Sequence, residues 1–314
     1  MDELLKSLTT QHFTDFEVIV VEDGSSVSCK EIVDRYTDKL DIKYFLKSNS
    51  GPGQSRNYGA ERSEGEYLII LDSDVILPEG YFDAVEKELA ASPADAFGGP
   101  DRAHDSVTDI QKAINYSMTS FFTTGGIRGG KKKMDKFYPR SFNMGVRRAV
   151  YEALGGFSKM RFGEDIDFSI RIFKGGYICR LFPDAWVYHK RRTDLKKFFK
   201  QVHNSGIARI NLYKKYPDSL KLVHLLPAAF TLGVALLLLG TPFCLFSFMP
   251  VILYVLLVCI DSTIQNKSLS IGVYSIAAAF IQLIGYGTGF GRAWWQRCVR
   301  GKDEFEAFQK NFYK

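Results

Sequence analysis

The chain has 314 residues, of which 46% are hydrophobic and 24% charged, and a formal net charge of +6. This length and composition allow a substantial core, held in one large domain or two smaller ones. The five cysteines show no paired spacing, which argues against a zinc site or a disulfide framework and fits a reducing compartment. The first ten residues, MDELLKSLTT, lack the basic and apolar parts of a signal peptide, so the soluble part is expected in the cytoplasm.

Strand and helix signals alternate over the first hundred residues. The predicted strands are 16–21 in FEVIVVEDGS, DIKYFLKS at 41–48, EYLIILDSD at 66–74 with its apolar run at 67–71, and ADAFGGP at 94–100. The predicted helices are SCKEIVDRYTDK at 28–39, GPGQSRNYGAERSEG at 51–65 and PEGYFDAVEKELAAS at 78–92. Such alternation predicts an α/β sheet, largely parallel and covered on both faces. Ligands of such sheets bind beyond the carboxyl ends of the strands, where two acidic pairs, Glu22–Asp23 and Asp72–Asp74, are predicted to lie.

Residues 101–140 are patterned less regularly. The segment TTGGIRGGKKKMDK, at 123–136, contains four glycines and a run of lysines. We interpret it either as a solvated mobile loop or as a flexible lid near a phosphate-bearing substrate.

Asp72 and Asp74 follow a predicted buried strand directly and are separated by one residue. Two carboxylates in this pattern can bind a divalent cation, and Mg²⁺ or Mn²⁺ held in this way keeps positions open for phosphate oxygens of a substrate. The alternative is an Asp-Ser-Asp turn that only caps the next helix. The second acidic strand end, at Asp23, favours the metal site.

Two loops carry further candidate binding residues. VVEDGSS, at 20–26, places Asp23 where a carboxylate could accept hydrogen bonds from a base or a ribose, and an ordinary Asp-Gly turn is the alternative. GPGQSRN, at 51–57, places Arg56 and Asn57 at the start of a helix. A cation and free backbone N–H groups in that position suit a diphosphate.

The stretch RFGEDIDFSIRIFKGG, at 161–176, predicts a helix that begins near Gly163. Asp167 and Arg171 have the i, i+4 spacing of one helix face, and acids occupy the first turn. These acids have two interpretations: favourable charge at a helix N-terminus, or a general base, Asp165, facing a cleft.

The last third of the chain contains two long segments with almost no charge. Between Leu222 and Ile260 the one titratable side chain near neutral pH is His224, and a second charge-free segment extends from Ser268 to Gly291. Their lengths favour membrane segments over buried core helices. Three segments can be drawn, at 222–240, 241–260 and 268–291; we expect the first two to form a hairpin and the third to be interfacial.

Basic residues flank these segments on both sides. The flanking residues are Lys190, Arg191, Arg192, Lys196, Lys197 and Lys200 before them, and Arg292, Arg297, Arg300 and Lys302 after them. Such clusters suit an anionic cytoplasmic leaflet and an even number of crossings. Nucleic acid is not the expected partner, because no basic motif interleaved with aromatic residues accompanies the clusters.

Taken in order, these pieces resemble family 2 glycosyltransferases, which are inverting enzymes with a GT-A fold. The matching segments are VVEDGSS, GPGQSRNYGAERSEGEYLIILDSD, FNMGVRR, GGF and FGEDIDFSIRI. They cover about residues 4 to 205. The resemblance implies a Rossmann-like α/β domain of the nucleotide-diphospho-sugar transferases, followed by C-terminal transmembrane or interfacial helices. The expected domains are 1–215, the hydrophobic helices 216–291 and a basic cytoplasmic tail 292–314.

On the donor side, the resemblance implies contacts with a nucleotide sugar and a metal. Asp23 would contact the base or ribose, Arg56 would lie near the nucleotide, and Asp72 near the ribose and the metal. Asp74 would coordinate Mg²⁺ or Mn²⁺. His189, in WVYHKRR, could complete the metal shell as a late histidine does in some GT-A enzymes, or could be a strand-end histidine near the basic face.

On the acceptor side, the resemblance implies that Asp165 is the catalytic base, supported by Glu164. The segment 142–145, with Asn143, would line the acceptor side. Processive members of the family carry Q-x-x-R-W after the base, and QVHNSG at 201–206 lacks its Arg and Trp, which favours transfer of one sugar over polymerisation. The expected acceptor is a lipid-linked or cell-envelope glycan, at the cytoplasmic face of the membrane.

Such domains usually begin with an apolar strand that ends in a PxYN-like sequence. This chain begins after that position, so the sequence predicts that the first strand is missing and that the nucleotide pocket is incomplete. Two other functions remain open: a nucleotidyltransferase on a related fold, and a catalytically degenerate membrane scaffold.

Overall fold

The computed structural model describes residues 1–102, 108–124, 137–189 and 194–308. Their contacts divide the chain into two compact units. The first contains 1–102 and 137–189, and the second contains 108–124 and 194–308. The second unit thus takes up residues on both sides of position 215. The sequence-based domains, with ends at 215 and 291, stay a prediction.

The strands of the described residues all lie in the first unit. They are β1 Glu17–Asp23, β2 Asp41–Lys47, β3 Tyr67–Leu71, β4 Val75–Ile76, β5 Ala96–Gly98, β6 Asp101–Arg102, β7 Asn143–Arg147, β8 Cys179–Leu181 and β9 Val187–His189. The helices of both units are α1 Asp2–Leu8, α2 Lys30–Asp34, α3 Pro52–Ala60, α4 Tyr81–Ala91, α5 Asp109–Thr119, α6 Phe121–Thr124, α7 Arg148–Ala153, α8 Glu164–Lys174, α9 Leu195–Lys215, α10 Leu226–Gly240, α11 Met249–Asn266, α12 Leu269–Trp294 and α13 Glu304–Ala307.

The described strands form three sheets, with orders β1-β2, β3-β7-β5-β8 and β4-β9-β6. The prediction of a largely parallel sheet is wrong, because β7 pairs antiparallel with both β3 and β5, and β4 pairs antiparallel with β9. Parallel pairing is confined to β1-β2, β5-β8 and β6-β9 among the described strands. The first unit is therefore a mixed α/β fold. No described strand joins β1 to β3, and the predicted missing strand stays a prediction.

Close packing of α3 against β1 positions the start of the candidate site. A Cβ at Gly59 would lie 3.3 Å from Val21 Cγ2, which is tighter than an ordinary side-chain contact. The core beneath is built from large apolar side chains, and Phe97 stacks on Phe182 with ring centroids 4.6 Å apart. The helix that follows β2 is thereby seated close to the sheet, and its N-terminus lies at the carboxyl end of β1.

The expectation of irregular structure over 101–140 is wrong for residues 109–124, which form α5 and α6. Thr108 and Gln111 form a capping box, each side chain bonding the backbone N–H of the other residue. The segment 125–136, the main part of the predicted loop or lid, lies outside the described residues.

The second unit is a bundle in which α12 packs against α5, α9, α10 and α11. Glycines allow the close approach of α12 to α9. A Cβ at Gly289 would lie 2.0 Å from His203 O, and one at Gly206 of α9 would lie 2.2 Å from Tyr286 O. The two backbones therefore touch without intervening side chains, as small residues permit between packed helices.

Two helical stretches in this unit are long and apolar enough to cross a membrane, Phe246–Asn266 and Leu269–Val299, with mean hydropathies of 2.0 and 1.6. α10 has 15 residues and is shorter. The expected second segment, 241–260, is wrong at its start because α11 begins at Met249. The shortest of the three helices is thus α10, and α12, which covers the segment expected to be interfacial, is the longest.

Candidate active site

The turn after β3 brings a late histidine to the two aspartates. β3 ends at Leu71, residues 72–74 form the turn, and β4 pairs with β9 so that Val75 lies opposite His189. His189 Nε2 consequently lies 3.4 Å from Asp74 Oδ1. One ligand atom from each of Asp72, Asp74 and His189 can be chosen so that all lie within 4.8 Å of one another. The structure therefore gathers the three predicted metal ligands.

The environment of His189 fits a metal ligand. Its ring is stacked on Phe142 with centroids 4.9 Å apart, which fixes its orientation. Its Nδ1 is buried without a hydrogen-bond partner among the described residues, and Asp101 Oδ2 lies 3.9 Å away. Metal-bound histidines commonly direct their second nitrogen at a carboxylate. Two carboxylates and an imidazole form a donor set that Mg²⁺ or Mn²⁺ accepts, Mn²⁺ more readily because of the nitrogen.

Arg56 connects this cluster to the acids of α8. Its Nη2 donates to Asp72 Oδ1 at 3.0 Å, its Nη1 donates to Glu164 Oε1 at 2.8 Å, and its guanidinium lies 5.3 Å from the centre of the Phe157 ring. Burial lowers the pKa of Arg56, but the carboxylates of Asp72 and Glu164 outweigh burial and raise it. The guanidinium is thus held charged between the end of β3 and the start of α8.

The first turn of α8 carries Glu164 and Asp165, as predicted, after Gly163 in the left-handed conformation with φ of 87°. Burial raises the pKa of Glu164 and the neighbouring Asp165 raises it further, while Arg56 opposes both. Asp165 differs in its contacts. Its Oδ1 accepts from the Ile166 N–H at 2.8 Å, and its Oδ2 lies 3.4 Å from Arg140 Nε.

Asp23 lies at the end of β1, where it caps the loop before α3. Its carboxylate accepts from Lys47 Nζ, from Ser50 N at 2.8 Å and from Gly51 N at 2.7 Å. Burial raises the pKa of Asp23, but the Lys47 ammonium and these N–H groups hold it below its ordinary value. The predicted contact with a base or ribose stays a prediction, and the carboxylate is already engaged by three donors.

Asn143 is not placed on an open surface. It is 1% exposed, its Oδ1 accepts from Tyr81 OH at 2.6 Å, and its Nδ2 donates to Ala185 O at 2.8 Å. Both amide groups of Asn143 are engaged in the core, and the prediction that Asn143 lines the acceptor side stays a prediction. Its neighbour Phe142 reaches the site instead, through the stack on His189.

Sequence reasoning missed three residues that touch the predicted site, namely Lys47, Asp101 and Arg140. Asp101 follows a predicted strand, as Asp23 and Asp72 do. An acid directly after an apolar strand was the signal for those two residues, and the same signal is present at Asp101. Lys47 and Arg140 carry no local signal, because their partners are far away in the sequence.

Comparison with known proteins decides the family. Residues 1–155 match the family model described as glycosyl transferase family 2. This part of the chain belongs to that family. The resemblance read from the sequence is confirmed, and the motifs around Asp23, Arg56 and the 72–74 turn all lie within the matched residues.

Two curated relatives are similar over parts of their length. A poly(ribitol-phosphate) β-N-acetylglucosaminyltransferase, TarS, of Staphylococcus aureus is 39% identical over 118 residues, which are 36% of this chain and 19% of that protein. A GalNAc(5)-diNAcBac-PP-undecaprenol β-1,3-glucosyltransferase of Campylobacter jejuni is 34% identical over 101 residues, 31% of this chain and 33% of that protein. The chain thus matches a fifth to a third of the length of these relatives.

A solved structure extends the likeness over most of the chain. It is the mannosyltransferase PcManGT from Pyrobaculum calidifontis in complex with GDP-Man and Mn²⁺, with a TM-score of 0.61, 19% identity, and coverage of 90% of this chain and 82% of that one. At this identity the likeness is one of fold. The predicted α/β GT-A class is confirmed.

Proposed function

We propose that this protein is a metal-dependent, inverting glycosyltransferase that moves one sugar from a nucleotide-sugar donor to a lipid-linked or cell-envelope glycan acceptor. The observation that carries the proposal is the double hydrogen bond of Arg56, to Asp72 and to Glu164. Arg56 thereby contacts both one of the possible metal ligands, Asp72, and one of the two acids at the start of α8, Glu164. A nucleotide-sugar transferase needs both parts together: a place for the diphosphate and a base for the acceptor.

The donor diphosphate would lie beside the 72–74 turn. Asp72, Asp74 and His189 would hold Mg²⁺ or Mn²⁺, and the bound ion supplies positive charge to the departing nucleoside diphosphate. Arg56 keeps Asp72 in place through its Nη2 hydrogen bond. Phe142 keeps the His189 ring facing Asp74. The fold neighbour that holds GDP-Man and Mn²⁺ supports this assignment.

The proposed base is Asp165. Arg56 holds Glu164 by a hydrogen bond and the Glu164 side chain is buried, so Glu164 is suited to positioning. Asp165 Oδ2 would accept the proton of an acceptor hydroxyl as that oxygen bonds to the anomeric carbon. The bond from this carbon to the diphosphate oxygen breaks at the same time, and the nucleoside diphosphate leaves with the electron pair. Attack and departure on opposite faces invert the configuration. A positioned base of this kind typically contributes about 10²–10⁴-fold.

The acceptor class is proposed from the apolar helices and the relatives. α11 and α12 belong to stretches of 21 and 31 residues, and the apolar 18-residue windows within them are 17% and 39% buried. α11 exposes large apolar side chains, among them Leu253, Leu256 and Ile260, whereas much of α12 is covered by its four neighbouring helices. We propose that α11 and α12 lie in the membrane, with the first unit on the cytoplasmic side. Two long helices agree with an even number of crossings. α10, about 22 Å long at 1.5 Å per residue, is too short for a hydrocarbon core of roughly 30 Å.

The experiment is sugar transfer by the purified full chain in detergent and lipid extract. Radiolabelled UDP- and GDP-sugars are supplied with Mn²⁺, and label in the lipid phase and released nucleoside diphosphate are measured. Asp165→Asn is expected to lower transfer about 10²–10⁴-fold while leaving donor binding intact. Asp165→Asn or Asp74→Ala with unchanged metal-dependent transfer would rule out the site. Release of pyrophosphate would indicate nucleotidyl transfer instead.

A further inference from the structure

Arg140 differs from the other arginines close to the site in how its donors are used. Arg171 bonds Asp167, Leu154 O and Gly156 O, and Arg148 bonds the carbonyl oxygens of Gly65 and Ala60 and the Ser63 hydroxyl. The Arg140 guanidinium forms one ion pair, to Asp165, and makes no hydrogen bond within the part of the chain that the structure describes. Its side chain is 37% exposed, whereas that of Asp165 is 15% exposed.

The backbone under Arg140 is fixed. The Asn143 N–H donates to Arg140 O at 3.0 Å. The Ser169 hydroxyl lies 3.1 Å from Pro139 O and 2.8 Å from Asp165 O, so its single O–H is shared between the peptide before Arg140 and the first turn of α8. Arg140 and Asp165 are therefore held beside each other from both sides. A guanidinium has five N–H donors in a planar fork, which suits the oxygens of a phosphate.

We propose that Arg140 forms an anion subsite on the acceptor side, which binds a phosphate group of the acceptor next to its attacking hydroxyl. This rests on the proposed function, because the hydroxyl must reach Asp165 Oδ2. A group that contacts Arg140 while the hydroxyl contacts Asp165 belongs to the acceptor. The donor diphosphate would bind instead at the cluster of Asp72, Asp74 and His189, next to Arg56. The guanidinium of Arg56 already contacts two carboxylates.

The subsite has a consequence for the order of events. Without acceptor, Arg140 Nε faces the oxygen of Asp165 that would take the proton. A bound phosphate would be a second anion beside the guanidinium. The guanidinium can hold both anions because its closest approach to Asp165 is at Nε, and its two Nη groups carry four further N–H donors. The acceptor class that fits is a polyol phosphate or a phosphate-linked glycan. With an uncharged glycan as acceptor, the remaining N–H groups of Arg140 would hydrogen-bond only to water.

The test uses the full chain in detergent with Mn²⁺ and the nucleoside diphosphate that it binds, so that the donor side is filled. Binding of sn-glycerol 3-phosphate and of glycerol is measured by nuclear magnetic resonance titration for the parent, Arg140→Gln, Arg140→Lys and Arg35→Gln. Arg35 is the matched control, since it forms an exposed ion pair with Asp2 at 3.2 Å. Arg140→Gln is expected to weaken glycerol phosphate binding at least tenfold, with partial recovery in Arg140→Lys and no change in Arg35→Gln.

Three results would overturn the proposal. The parent binds glycerol phosphate no better than glycerol, or Arg140→Gln and Arg35→Gln bind it alike. The third contrary result is that Arg140→Gln weakens donor binding as much as glycerol phosphate binding. Arg140 would then bind a phosphate of the donor and not of the acceptor. Failure of the proposed function is recognised separately, as a parent that binds no nucleotide sugar and releases no nucleoside diphosphate from one.

Discussion

His189 Nε2 lies 3.4 Å from Asp74 Oδ1 because the strands that carry the two residues are paired in register. Val75 of β4 lies opposite His189 of β9, so the residue before Val75 meets the histidine at the end of the ladder. A shift of the register by one residue would turn the imidazole to the other face of the sheet. The proposed metal site thus depends on a two-residue strand, β4, that forms one side of this ladder.

Asp101 is expected to support metal binding without being a ligand. Its Oδ2 lies 3.9 Å from His189 Nδ1, close enough to accept a hydrogen bond after a small movement of the ring. Asp101→Asn should weaken Mn²⁺ binding about 10–100-fold, the usual effect of losing the carboxylate behind a histidine ligand. Binding is measured by electron paramagnetic resonance of free Mn²⁺. Asp95→Asn, at an acid one strand away, is the control. Equal affinities in both variants would refute the role.

Arg56→Gln should destabilise the first unit. The change leaves the Glu164 carboxylate, which is 8% exposed, without its cationic partner, and breaking a buried pair typically costs about 3–5 kcal/mol. Lys30→Gln removes an exposed pair with Asp34 and should cost at most about 0.5 kcal/mol. The measurement is the urea midpoint of the tryptophan signal. Adding Glu164→Gln should recover part of the loss, and a loss below about 1 kcal/mol would contradict the prediction.

Glu22 should make stability depend on pH in the acid range. It is 4% exposed, and hydrogen bonds from Tyr44 OH at 2.6 Å and Cys29 N at 2.9 Å lower its pKa from 4.5 to about 2. A lowered carboxyl pKa contributes stability that is present above about 4.5 and is lost as the pH falls towards 2. At pH 6 the parent should unfold at a higher urea concentration than Glu22→Gln. The difference between their urea midpoints should shrink as the pH falls from 4.5 to 2.

An exposed glutamate on α4, Glu86, is the control for this titration. Glu86→Gln should show no comparable narrowing of its difference from the parent over the same interval. A difference between the parent and Glu22→Gln that stays constant from pH 6 to pH 2 would show that the hydrogen bonds to Glu22 do not depend on its charge.

Gly289 and Gly291 offer a matched pair on α12. A Cβ at Gly289 would lie 2.0 Å from His203 O, whereas one at Gly291 would meet no atom within 4 Å. Gly289→Ala must separate α12 from α9 and should cost about 1–3 kcal/mol. Gly291→Ala should be neutral or stabilising by up to about 1 kcal/mol, since alanine favours the helix. Thermal unfolding in detergent measures both, and equal melting temperatures would argue against backbone contact between the helices.

Much of the first unit could be predicted because its signals are local. β2 was predicted at 41–48 and forms at Asp41–Lys47, and α8 begins after Gly163 as expected. The acids at strand ends marked the site for the same reason. An apolar run that ends on a carboxylate is visible in a single window of sequence. The prediction of three metal ligands drew also on the family resemblance, and the structure brings all three together.

The contacts that the sequence could not show involve partners distant in the chain. Asn143 is buried because Tyr81 and Ala185 engage its amide, and neither contact is encoded near residue 143. β7 inserts antiparallel between β3 and β5, which a count of alternating strands and helices does not reveal. α5 is an exception, because its signal is local: Thr108 and Gln111 have the spacing of a capping box.

The position of α5 in the sequence sets an order of synthesis. α5 is encoded between β6 and β7, yet its apolar face, with Ala113 and Ile114, shares a core with Ile271 and Ala278 of α12. At about 5–20 residues per second, the roughly 150 residues in between leave α5 without that partner for about 8 to 30 seconds during translation. In a shortened protein that ends at residue 215, the apolar face of α5 would never meet α12. Such a protein is expected to aggregate or to need a chaperone. Expression trials of the first unit should therefore remove 108–124 and end before α9, which also packs against α12.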